Sequence, residues 1–102
     1  MIYCFDLDGT LCTNTNGDYN NAKPFQDRIA VLRKLYEEGH TILIETARGS
    51  VTGIDWYQLT SSQLKEWNCP YHTLRVGIKL NADIYVDDKG IKDTTFFTDI
   101  TT

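Results

Sequence analysis

The chain has 102 residues, enough for one domain with a modest core but not for a second lobe. Its composition, 41% hydrophobic and 24% charged, is that of an ordinary globular protein. A net charge of -4 and a pI near 4.9 argue against nucleic acid or an anionic membrane as the main partner, since both reward basic surfaces.

Ile2 to Phe5 reads as a short buried strand, with Cys4 as a small core residue. Two aspartates, Asp6 and Asp8, follow at its end. The polar stretch "TNTNGDYNNAK" comes next, and its Asn16-Gly17 pair favours a type I′ turn. A small β-hairpin flap over the strand end is expected, at about Cys12 to Asn21.

Pro24 suits the first turn of a helix. Phe25, Ile29, Leu32, Leu35 and Tyr36 then recur at helical spacing, and Gly39 marks the stop. Thr41 to Thr46, "TILIET", is β-branched and apolar and predicts a second buried strand. "ARGSVTG" is a loop. Asp55 caps a second predicted helix carrying Trp56, Leu59, Leu64 and Trp67, with both tryptophans read as core. Cys69-Pro70 ends it. "YHTLRV" is a third strand, "ADIYVDD" a fourth and "TTFF" a candidate fifth.

Three cysteines without a C-x-x-C pair suggest neither a disulfide framework nor a zinc knuckle. The opening "MIYCF" has no basic leader and no long apolar region, and no stretch approaches membrane-spanning length. A cytoplasmic location with reduced thiols is therefore expected. His40 and His72 have no partners at metal spacing and read as structural.

Short apolar strands alternating with helices imply an α/β fold: a mostly parallel sheet with helices on both faces, in one domain over residues 1–102. Ligands of such sheets bind beyond the carboxyl ends of the strands. Asp6, Thr46 and Asp87-Asp88 all fall at predicted ends of that kind. Four carboxylates around one crevice repel each other unless a cation intervenes. With nothing soft nearby, Mg²⁺ is the expected ion and zinc is not. A carboxylate left over beside such an ion suggests phosphoryl transfer to an aspartate.

Here a pattern emerges. "DLDGT" after an apolar strand resembles the first motif of the haloacid dehalogenase (HAD) superfamily. Thr46 closing a strand, Lys79, and "YVDD" resemble its second, third and fourth motifs, in order and over nearly the whole chain. The wording "TARG" and "KLNADIYVDDKG" is similar to a small bacterial branch whose members often accompany polysaccharide or sugar-nucleotide pathways. Where related sequences often have lysine-proline, this chain has "KLN".

The resemblance implies a Rossmann-like HAD core without a cap domain, and a Mg²⁺-dependent phosphomonoester hydrolase working through an aspartyl-phosphate. Asp6 is the implied nucleophile and Asp8 the acid and base. Thr46 and Lys79 bind and neutralise the phosphoryl group. Asp6, the Asp8 main-chain carbonyl, Asp87 and Asp88 hold the metal. Arg48 either binds substrate or pairs with a surface carboxylate. The implied partner is a phosphorylated small molecule, such as a sugar or polyol phosphate. A homo-oligomer, or a large substrate, would cover a crevice that the short flap leaves open.

The alternatives are a nucleotidase or phosphotransferase of the same mechanism, and a metal-binding regulatory module without turnover. Among bland readings, "DLDGT" as an EF-hand fragment fails, because Gly17 stands where the loop needs glutamate. "DDKG" taken alone reads as a solvated turn.

Overall fold

The computed structural model describes residues 1–79 and 82–101, with the side chains of 99–101 left aside. Three strands form one parallel sheet: β1 (Ile2–Asp6), β2 (Thr41–Thr46) and β3 (Thr73–Val76), in the order β1-β2-β3. Three helices accompany them: α1 (Gln26–Glu37), α2 (Tyr57–Glu66) and α3 (Asp93–Thr101). The register runs from Ile2 opposite Thr41 to Asp6 opposite Glu45, and from Leu43 opposite Thr73 to Thr46 opposite Val76. Asp6 and Thr46 thus end neighbouring strands at the same edge, as the α/β reading requires.

Alternation along the strands separates two faces. Phe5, Ile42, Ile44 and Leu74 share the buried face and join Leu7, Leu11, Ile29, Leu32, Leu64, Trp67 and Phe97 in one core. Burying one such side chain is worth about 1.5–3 kcal/mol. The expectation of helices on both faces is met on one side only. Helix α3 reaches the core face through Phe96 and Phe97, whose rings lie 5.7 and 6.2 Å from Phe5. Helices α1 and α2 reach it through Ile29, Leu32 and Leu64. On the opposite face Ile2, Cys4, Thr73 and Arg75 are exposed and Leu43 is half-buried. Cys4 is therefore not a core residue.

Helix termini follow local chemistry. Gly39, at φ 94°, closes α1, and the His40 N–H reaches back to the Leu35 carbonyl at 3.1 Å. Pro24 lies before α1, not in its first turn, because its position is taken by a bridge to Cys12. Asp55 is expected to cap α2, but Trp56 takes the N-cap position; Asp55 stands one residue earlier, and its carboxylate accepts the Tyr57 N–H at 3.0 Å. Asn68, at φ 55°, turns the chain out of α2 before Cys69-Pro70.

Two strand expectations are corrected. Thr94 to Phe97 belongs to α3, because packing Phe96 and Phe97 against Tyr3 and Phe5 overrides their strand preference. Residues 82–90 are exposed and irregular, and form no fourth strand. Local bonds hold this segment in place of a ladder: the Tyr85 hydroxyl accepts the Ala82 N–H at 3.0 Å, and Asp87 accepts the Lys89 N–H at 2.9 Å.

The flap is a turn on a short two-legged arm. Asn16 and Gly17 both have positive φ, 54° and 99°, and the Asp18 N–H bonds the Thr15 carbonyl at 3.3 Å, as the dipeptide predicted. The legs touch where Cys12 bridges Pro24 and the Thr13 N–H meets the Lys23 carbonyl. A single 3₁₀ turn, Tyr19–Asn21, follows. No described helix is long and apolar enough to cross a membrane.

Candidate active site

The ends of β1 and β2, the flap and the loop after β2 surround a cavity of about 660 Å³. Asp6, Asp8, Thr46, Arg48 and Lys79 all line it, so five of the seven residues singled out from sequence come together. Asp87 and Asp88 do not; both are exposed on the irregular segment. Leu80 and Asn81, part of the "KLN" wording, lie outside the described residues.

The geometry begins with β1. It delivers Asp6 to the sheet edge, and the chain then turns sharply. The Leu11 N–H returns to the Leu7 carbonyl at 2.8 Å, and Gly9, at φ 84°, bonds the Cys12 carbonyl. This turn places Asp8 over the core side while Asp6 stays open, its side chain 39% exposed.

The two aspartates face different partners. Asp6 meets the Lys79 ammonium at 3.4 Å. Burial pushes the Asp6 carboxyl above the ordinary carboxylate value, and Lys79 opposes that only in part. The folded form therefore takes up protons more readily than the unfolded chain. The charge on Asp6 costs stability at neutral pH, and the cost disappears as pH falls below the ordinary carboxylate value.

Asp8 is caged. Arg48, 1% exposed, grips it with a two-pronged fork: Nη2 to Oδ1 at 2.8 Å and Nε to Oδ2 at 2.9 Å. The Thr46 hydroxyl adds a bond to Oδ2 at 3.4 Å and the Cys12 thiol one to Oδ1 at 3.5 Å. Burial first, then the Asp8 charge, pushes the Cys12 thiol up to about 12, so it stays protonated. Arg48 is itself anchored on α2, donating from Nη1 to Gln63 at 2.6 Å and Thr60 at 3.1 Å. The Tyr19 ring lies 4.6 Å from its guanidinium. Arg48 thus does not pair with a surface carboxylate: its partner, Asp8, lines the cavity, as Arg48 itself does.

Sequence reasoning missed the holders of Arg48. Thr60, Gln63 and Leu64 form the buried stripe of α2, at helical spacing, and Trp67 continues it just past the helix end. A threonine and a glutamine inside an apolar stripe are the signal that could have revealed them, since buried polar groups need partners. Trp56 also departs from its core reading. It stands at the start of α2 on the cavity wall, 5.0 Å from Tyr19. Trp67 is core as expected. Gly49 is required in the loop beside Trp56: at φ 83°, a Cβ there would collide with the Ile54 carbonyl. His40 and His72 are structural, bonding the Met1 amine and the Ile42 N–H, each at 3.0 Å.

No group of three His, Cys, Asp or Glu side chains among the described residues is placed to hold an ion. The fork on Asp8 and the separation of Asp87-Asp88 leave Asp6 as the one uncaged carboxylate on the cavity wall among the described residues.

Solved structures share this architecture. The crystal structure of an MCSG target from Vibrio cholerae matches with a TM-score of 0.84 and 29% identity, over 95% of this chain and 87% of that one. A chain in the structure of the Pnkp1/Rnl/Hen1 complex matches with a TM-score of 0.59 and 20% identity. That match covers 95% of this chain but 33% of the other, and it shows the fold alone. No family model matches the sequence. No curated protein matches it either. The fold is a small α/β domain with a three-stranded parallel sheet and three helices.

Proposed function

We propose that the protein is a phosphomonoester hydrolase that works through an aspartyl-phosphate on Asp6. The observation that carries this reading is the pairing of two unlike aspartates on one cavity wall: Asp6 open beside Lys79, and Asp8 held rigidly by Arg48. The resemblance of "DLDGT", Thr46 and Lys79 to the HAD motifs supports it. Enzymes commonly separate two carboxylates into two roles by environment.

In this reading an Asp6 oxygen attacks phosphorus while the bond to the leaving oxygen breaks, and Asp8 passes a proton to that oxygen. Water then attacks the phosphorus, the bond to Asp6 breaks, and the water proton goes to Asp8. Lys79 balances charge on the phosphoryl group, and the Thr46 hydroxyl turns from its long bond with Asp8 to one of the phosphoryl oxygens. Such positioning and charge balance are most of what phosphoryl transfer demands. A cavity of about 660 Å³ lies within the range of small-molecule sites. Its outer wall offers Asn14, Asn16, Tyr19 and Trp56 to the organic part of a sugar, polyol or nucleoside phosphate.

Mg²⁺ belongs to the proposal as an expected requirement. Ala82 and Tyr85 already line the cavity, and Asp87 and Asp88 would hold the ion with Asp6 only if the rest of the 82–90 segment closed on it. A rise in Tm on adding Mg²⁺ tests this independently of turnover.

The central test is Asp6→Asn, assayed by phosphate release from a panel of sugar, polyol and nucleoside phosphates. Activity is expected to vanish while the circular dichroism spectrum and Tm hold, because the charge it removes is a net cost to the fold at neutral pH. Wild-type rates in Asp6→Asn would refute the reading. A wild-type protein that binds Mg²⁺ but never releases phosphate would favour the regulatory module.

A further inference from the structure

We infer that Arg48 is a positioning residue: its fork sets the plane and reach of the Asp8 carboxylate, with α2 as the anchor. The inference rests on the phosphatase reading and deepens it. Arg48 is 1% exposed and none of its bonds is made to open space. Nε and Nη2 hold Asp8 at 2.9 and 2.8 Å, Nη1 holds Gln63 and Thr60, and the ring of Tyr19 covers the guanidinium at 4.6 Å. The opposite end of Gln63 donates to the Tyr19 carbonyl at 2.6 Å. A substrate phosphate would have to displace several short bonds at once to reach this guanidinium.

The fork has a chemical consequence. A planar guanidinium makes its two parallel bonds only when the carboxylate is coplanar with it. It uses one lone pair on each Asp8 oxygen; the longer bonds from the Thr46 hydroxyl to Oδ2 and the Cys12 thiol to Oδ1 use the others, so a proton on Asp8 takes the place of one of these two and not of the fork. Asp8 is thereby prevented from swinging away from the leaving oxygen. A lysine keeps the charge and cannot impose the plane. Positioning of this kind matters only where Asp8 transfers a proton, which separates it from a general role in folding.

Leaving-group chemistry reads that difference. The departing oxygen of p-nitrophenyl phosphate needs little protonation, whereas that of an alkyl phosphate needs a proton. In Arg48→Lys, kcat/KM for glycerol phosphate is expected to fall about 100-fold, in the range a general acid contributes. The value for p-nitrophenyl phosphate should fall less than about 5-fold on the same grounds. Its kcat should drop further than its kcat/KM, with a burst of p-nitrophenol, because the second step still needs Asp8 to take a proton from water. Gln63→Leu, which loosens Arg48 without touching Asp8, should show the same split at smaller size, and it stands in if Arg48→Lys fails to fold.

Equal losses on both esters, or losses that follow Tm alone, would overturn the positioning role and leave the phosphatase reading intact. A wild-type protein inactive on both esters, with and without Mg²⁺, would overturn the phosphatase reading and this inference with it. Undiminished turnover of glycerol phosphate in a folded Arg48→Lys would overturn the inference alone.

Discussion

Asp8 and Asp87 are carboxylates of the same kind, each at the heart of an aspartate pair. One is embedded and the other stands in solvent. Asp8 is held by Arg48, Thr46 and Cys12, and Arg48 in turn by α2. Asp87 is held by its own chain: it accepts the Lys89 N–H, and that bond, then Asp88, sets its carboxyl below the ordinary value. The first arrangement couples four segments of the molecule; the second couples none. A motif residue acquires a role from what is packed around it, and the two halves of one sequence pattern differ in that respect.

The sharpest way to break the contrast is Asp8→Ala. It strands a guanidinium in the core and should cost about 3–5 kcal/mol in urea unfolding. Asp8→Leu combined with Arg48→Met should cost much less than Asp8→Ala alone, because no unpaired charge remains. A double variant as damaged as the single one would mean that the fork is not the source of the loss.

An intermediate case is Asp93, half-buried at the start of α3 and 2.8 Å from Arg28. Burial works against its charge, but the Arg28 bond, the Thr94 N–H and the Arg28 charge together prevail and lower its carboxyl. Its contribution is full above the ordinary value near 3.9 and fades as pH falls through the lowered one. Asp93→Asn should therefore cost about 0.5–1 kcal/mol at neutral pH and nothing in strong acid. A pH-independent loss would assign the effect to the helix terminus and not to the ion pair.

The smallest effect is expected at Asp87. Asp87→Asn together with Asp88→Asn should leave the urea midpoint of metal-free protein unmoved, while abolishing any Mg²⁺-induced rise in Tm. A rise that survives both changes would remove these residues from the proposed metal site.

Much of this could be read in advance. The apolar runs 2–5 and 41–46, the stop at Gly39 and the turn at Asn16-Gly17 are dictated by chain-local chemistry, and each stands where it was expected. Asp6 and Thr46 follow automatically from the strands they end. What escaped was long-range. Whether Ile84, Tyr85 and Val86 enter a sheet depends on a partner edge, which no spacing reveals; Val86 is 95% exposed. Phe96 and Phe97 carry strand preference but were claimed by the rings of β1. The seat of Arg48 depended on Gln63, fifteen residues away: the polar pair in the α2 stripe signals that a partner is needed, but not which residue it is.

The strand order has a consequence for how the molecule comes together. Each strand pairs with the one made just before it, so the sheet grows outward from β1 in the order of synthesis. The β1–α1–β2 unit can form before α2 exists, which keeps loop-closure entropy low and favours rapid nucleation there. The same order leaves the outer backbone of β1 as a sheet edge, with Ile2 and Cys4 beside it. An edge of that kind is a template on which a further strand can be laid. Early in the chain's life it is the part most exposed to mispairing with a neighbouring copy.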